Sequence, residues 1–87
     1  MSTRALLIGF EDCEYCQKAN NFLEVCGFEV DWLKSSKNRK EKLPPEYANW
    51  KGDYIFHMKS YYILPQSLID TAAIAAINFH PGSPKYP

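Results

Sequence analysis

Ala5-Leu6-Leu7-Ile8-Gly9-Phe10, followed by Glu11-Asp12-Cys13-Glu14-Tyr15-Cys16, is the stretch that decides the fold class. An unbroken apolar run of this length reads as a strand buried on both faces, the habit of parallel sheets. Glu11-Asp12 breaks the run. Asp12 suits an N-cap and Glu14 the first turn of a helix. Ala19, Phe22, Leu23 and Cys26 then fall at helical spacing, and Gly27 takes the C′ position that ends such a helix. Phe28, Val30 and Trp32 alternate with Glu29 and Asp31, so Phe28–Leu33 reads as a strand with one wet face. A strand, a helix and a second strand in so short a span suggest a right-handed parallel βαβ unit.

Working outward, Lys34–Lys42 is polar and holds half of the basic residues: Lys34, Lys37, Arg39, Lys40 and Lys42. Pro44-Pro45 stiffens the chain, and Glu46–Lys51 is expected to form a helical turn carrying Tyr47 and Trp50. Tyr54-Ile55-Phe56 reads as a third strand, with His57 and Met58 at its end. Leu64–Ile69 reads as a short helix with Pro65 at N1. Ala72–Phe79 carries helix-favouring alanines, but Ile74, Ile77 and Phe79 ahead of His80-Pro81 favour a buried strand. Pro81, Pro84 and Pro87 keep the last stretch out of any helix or central strand. The expected fold class is α/β: a Rossmann-like, open, mainly parallel sheet with flanking helices.

The 87 residues allow one domain. Hydrophobic residues make up 46% and charged residues 23%, a globular composition that argues against disorder. Ten Lys+Arg balance ten Asp+Glu, so whole-chain charge gives no case for nucleic-acid binding. No apolar run approaches the roughly 18 residues of a membrane span, and the start lacks a signal-peptide pattern. Three cysteines without an export signal point to reduced thiols and a cytoplasmic location.

Two constellations carry chemistry. Cys13-Glu14-Tyr15-Cys16 at a helix start has the spacing of thiol-disulfide oxidoreductases, where the helix N-terminus lowers a thiol pKa. A glutaredoxin-like activity using Cys13 and Cys16 is therefore the alternative reading. Against it stand Pro65, which reads as a helix start and not as the cis-proline of that fold, and the proline-rich end where a Gly-Gly turn and helix would be expected. Cys13, Cys16, His57 and His80 all follow strands, and two Cys with two His would suit tetrahedral zinc, but only the cysteine pair has a ligand-like spacing and no metal is expected. The second constellation is Asn78-Phe79-His80-Pro81-Gly82. Residues i and i+2 of a strand share a face, so Asn78 and His80 aim together at the carboxyl end, where open parallel sheets bind ligands. An amide donor beside an imidazole suits acyl transfer: Asn78 donates to an oxyanion, and His80 donates or shuttles a proton.

Asp53-Tyr54-Ile55-Phe56, Tyr62-Ile63-Leu64-Pro65 with Leu68-Ile69, and Ala76-Ile77-Asn78-Phe79-His80-Pro81-Gly82-Ser83-Pro84-Lys85-Tyr86 together resemble the folate-dependent formyltransferase family. In that family a D-x-I-x strand, a turn ending in I-L-P and an I-N-x-H-P strand occur in this order. The ordered match covers Asp53–Pro87. The resemblance implies transfer of a formyl group from N10-formyltetrahydrofolate to an amine, with Asn78 and His80 as catalytic residues and Tyr62, Ile63 and Leu64 lining the folate pocket. The family's third group, an Asp beyond the proline loop, has no match. Residues 1–87 then correspond to the N-terminal portion of the catalytic domain, truncated after the proline-rich loop and expected to be inactive alone. Gly82-Ser83-Pro84-Lys85-Tyr86-Pro87 departs from the Ser-Leu-Leu-Pro loop of the transfer-RNA and purine enzymes, which favours an amino sugar on a nucleotide as acceptor over tRNA. A homodimer is compatible with this reading, and a non-catalytic binding module of the same fold is a third. The basic run Lys34–Lys42 reads as a solvated loop, with nucleotide phosphates as its functional alternative.

Overall fold

The computed structural model describes residues 3–38, 40–58, 60 and 62–79. Four strands, β1 (Arg4–Phe10), β2 (Glu29–Ser35), β3 (Gly52–His57) and β4 (Ala72–Asn78), form one sheet in the order β2-β1-β3-β4. Every pairing is parallel, so the open, Rossmann-like α/β architecture is the one observed. Helix α1 (Glu14–Val25) connects β1 to β2 on one face. A 3-10 helix (Pro45–Asn49) and the four-residue α2 (Gln66–Ile69) serve the other connections. Successive strands are added on one side of β1 (β2) and then on the other (β3, β4), so right-handed crossovers put these two on the opposite face from α1.

β1 is the centre because Ala5, Leu6, Leu7 and Ile8 are all fully buried. Leu6 and Ile8 join Leu33, Trp50, Ile55, Tyr62 and Leu68 in the core under α2 and the 3-10 helix. Ala5 and Leu7 face α1, which lays Cys16 and Leu23 on the sheet. Gly9 makes that approach feasible: a Cβ there would run into the Cys16 sulfur. At the amino ends, Arg4 ties strands together. Its guanidinium meets Asp31 at 2.9 Å, its backbone N–H donates to Asp53 at 2.9 Å, and Trp50 Nε1 donates to Asp31 at 2.8 Å. Half exposed, such a pair contributes register more than stability.

Several expectations need correction. The N-cap is Cys13, not Asp12, and it makes no side-chain cap bond; the Asp12 carboxylate instead meets Lys37 Nζ at 3.3 Å. The inward stripe of α1 is Cys16 and Leu23, one heptad apart, whereas Phe22 and Cys26 face solvent. Gly27 does end the helix, at φ 92°, with Gly27 N–H donating to Glu24 and Phe28 N–H to Leu23 as in a Schellman motif. Pro65 is the N-cap of α2 and not its first residue. The largest difference is β4. It is an edge strand with Ile74 60% exposed, because the strand order gives it β3 as its one neighbour and α2 is too short to cover it. No helix among the described residues is long and apolar enough to cross a membrane.

Candidate functional site

The site is built at the carboxyl ends of β3 and β4. Register aligns Ile55 with Ala76 and His57 with Asn78. Neighbours in register project to the same face, so Asn78 and His57 stand side by side. Two further bonds hold the ends: Met58 N–H donates to Ile8 at 2.8 Å, and Phe79 N–H donates to His57 at 2.9 Å. Phe79 turns to the other face, 6.4 Å from Phe56, so the expected split between Asn78 and Phe79 is what the strand adopts. His80 lies outside the described residues.

The chain leaving β3 folds back over this corner. Ser60 Oγ lies 2.6 Å from His57 Nε2 and accepts the Tyr62 N–H at 3.2 Å. That hydroxyl seats the returning segment above His57. Tyr62 is buried in the core, Leu64 is half-buried and Ile63 is 90% exposed. Between this segment and the sheet lies a cavity of about 320 Å³, walled by Tyr62, Ile63 and Leu64, with His57 and Asn78 at its polar end. Its size falls in the range of small-molecule sites, about 300–1,000 Å³.

The back of the cavity is tied to the basic loop. The Tyr62 hydroxyl hydrogen-bonds the Glu41 carboxylate. Burial first, then this carboxylate, push the Tyr62 phenol up to about 12. Glu41 in turn accepts Ser36 N–H at 3.0 Å and Ser36 Oγ–H at 3.1 Å. Its carboxyl is held below the usual range, chiefly by the Ser36 amide and then by Tyr62. Tyr62 thus lines the cavity while its hydroxyl is committed to Glu41.

At the carboxyl end of β1, Cys13 is half-buried at the N-cap and Cys16 is fully buried under α1. Among the described residues no group of three or more His, Cys, Asp or Glu is placed to hold a metal ion. Among them, too, no cis peptide occurs, and Pro65 has the extended geometry of a cap.

No protein-family model, curated protein or solved structure matches this chain. The case for function therefore rests on residues and geometry. The fold brings Asn78, Tyr62, Ile63 and Leu64 to one cavity. Two members escaped the sequence reading. His57 was visible as a strand-end histidine, but its pairing with Asn78 depends on strand register. Ser60 had no signal, since its role depends on the path of the returning loop.

Proposed function

We propose that the chain carries the folate- and formyl-handling part of an N-formyltransferase. The observation that supports this best is Asn78 opening at a strand carboxyl end onto a cavity walled by Tyr62, Ile63 and Leu64. A flat pterin fits an apolar slot with a few polar groups at one end. In the reaction the acceptor amine attacks the formyl carbon of N10-formyltetrahydrofolate. Negative charge develops on the formyl oxygen, and the Asn78 amide N–H donates to it. The C–N10 bond then breaks, the amine gives up a proton and N10 takes one, leaving tetrahydrofolate and the formamide. His80, by the family motif, is the group that stabilises the oxyanion or shuttles that proton. His57 adds an imidazole to the same cavity wall. The favoured acceptor is an amino sugar on a nucleotide, and the setting is the cytoplasm.

The family's carboxylate has no stand-in among the described residues. Asp70 caps α2 just before β4 begins. Asn78 sits at the other end of that strand, roughly 20 Å away at about 3.3 Å per residue. The 87 residues are therefore expected to bind folate without useful turnover. The test is calorimetric titration of the chain with the stable analogue 10-formyl-5,8-dideazafolate. Saturable one-to-one binding, weakened about tenfold or more by Ile63→Asp, supports the reading. No binding at millimolar analogue sinks it. Formylated product from N10-formyltetrahydrofolate and amino-sugar nucleotides at about 1–1,000 per second would show that the missing carboxylate is not needed.

A further inference from the structure

Cys13 and Cys16 play no part in formyl transfer, yet the fold arranges them as a pair. Cys13 is the N-cap of α1 and Cys16 is its third residue. The Cys13 carbonyl accepts the first helical bond, from Gln17 N–H at 3.0 Å, and Cys13 N–H donates to the Phe10 carbonyl at 3.1 Å. The cap is thus held from both sides. N-cap and third residue are the two positions whose side chains turn toward each other across a first helical turn, as in a capping box. Their exposures differ. Cys13 is half-buried and lines a cavity of about 270 Å³ with Phe10, Asp12, Tyr15 and Lys37. Cys16 is fully buried, seated where Gly9 leaves room for its sulfur. A reagent in solvent therefore meets Cys13 first. The two acids that flank Cys13 are each matched by a lysine: Asp12 with Lys37 at 3.3 Å and Glu14 with Lys18 at 3.4 Å.

We propose that Cys13 and Cys16 form a thiol–disulfide exchange centre for small disulfides such as glutathione disulfide, with Cys13 attacking and Cys16 resolving. A helix amino end favours the thiolate, the form that attacks. The Cys13 sulfur attacks one sulfur of the disulfide, the S–S bond breaks, and the first small thiolate leaves and takes up a proton. Cys16 gives its proton to solvent, and its sulfur attacks Cys13 in the mixed disulfide. That S–S bond breaks in turn, and the second small thiolate leaves and is protonated. Two protein thiols are oxidised to one Cys13–Cys16 disulfide, and one small disulfide is reduced to two thiols. Excess small thiol runs the sequence backward. Burial of Cys16 serves the second step, because the mixed disulfide brings the reacting sulfur to within one turn of it. The centre stands apart from the formyltransferase reading: its cavity and the Asn78 cavity share no lining residue.

The experiment equilibrates a Cys26→Ser chain, which removes the exposed third thiol, with mixtures of glutathione and glutathione disulfide. Acid quenching and intact-mass measurement then read the products. The expected product is a chain two hydrogens lighter, with no lasting glutathione adduct. Adding Cys16→Ser should halt the reaction at one adduct on Cys13, and adding Cys13→Ser should slow modification about tenfold or more. Circular dichroism checks that each variant is folded. The Cys13–Cys16 disulfide should also be favoured about tenfold or more in the folded chain over the chain in denaturing urea. That comparison needs no substitution in the pair. A pair that stays reduced in every mixture overturns the proposal, as does an adduct that persists while Cys16 is present. Undiminished modification after Cys13→Ser overturns the assignment of roles. A disulfide equally favoured in urea shows that sequence proximity, and not the fold, brings the thiols together, and overturns it as well.

Discussion

The two βαβ units of the sheet share a topology and differ in their cover. Between β1 and β2 the crossover is a helix of 12 residues, roughly 18 Å long, which spans most of a seven-residue strand. Between β3 and β4 the helix has four residues, roughly 6 Å. The remaining length is crossed by the irregular segment through Ser60 and Tyr62–Pro65. A full helix seals its strands, and Cys16 and Leu23 pack flat on β1. A short one leaves the upper half of its strands under a loop, and that gap is the cavity at Asn78. In this molecule the candidate site is the space that an incomplete crossover leaves open.

The sharpest challenge to that contrast is Leu68→Ala. Leu68 is the one fully buried residue of α2, so its removal is expected to cost about 2–5 kcal/mol in urea unfolding and to abolish analogue binding. A loss below about 1 kcal/mol would show that α2 is not what holds the second unit closed. Gly9→Ala probes the first unit. The new methyl would meet the Cys16 sulfur and lift α1, at an expected cost of about 1–3 kcal/mol, partly recovered when Cys16→Ala is added. Binding at the Asn78 cavity should survive that pair of changes, because it lies beyond β3.

Tyr62 sharpens the comparison further, since the second unit is held by a titrating bond. The folded phenol, at about 12, lies above its ordinary value of 10. Its contribution to stability is therefore fully present below pH 10 and is lost as pH rises toward 12. Burial raises Tyr47 as well, so ultraviolet titration should show more than one late-ionising tyrosine, and Tyr62→Phe should remove the step at about 12. Glu41 acts with the opposite sign: its lowered carboxyl supports the loop above its ordinary value of 4.5 and ceases to do so in acid. The smallest expected effect is Gly27→Ala, about 1 kcal/mol for placing a side chain at φ 92°.

Local chemistry made the first unit legible. The apolar run at β1, the acidic break and Gly27 each act within a few residues, so strand, helix and end could be read directly. The difference there is fine-grained: the Asp12 carboxylate pairs with Lys37, which follows β2, and does not cap α1. The second unit was legible in its elements but not in its exposure. That Ala72–Asn78 would be a strand followed from Ile74 and Ile77. That it would sit at an edge depends on strand order, which is decided by crossovers and not by the strand's own residues. The Asn78 site shows the same division. Asn78 and Tyr62–Leu64 could be read from motif, while His57 and Ser60 entered only through register and loop path.

The close seat of Cys16 against Gly9 also equips the protein with an internal clock. Cys26 is open to solvent at the far end of α1, and Cys16 is sealed beneath its first turn. An alkylating reagent meets Cys26 at once but reaches Cys16 when the helix lifts from β1. Where closing is faster than modification, the ratio of the two labelling rates measures the free energy of that single opening event. The chain's own thiols thereby time the motion of α1 without any added probe.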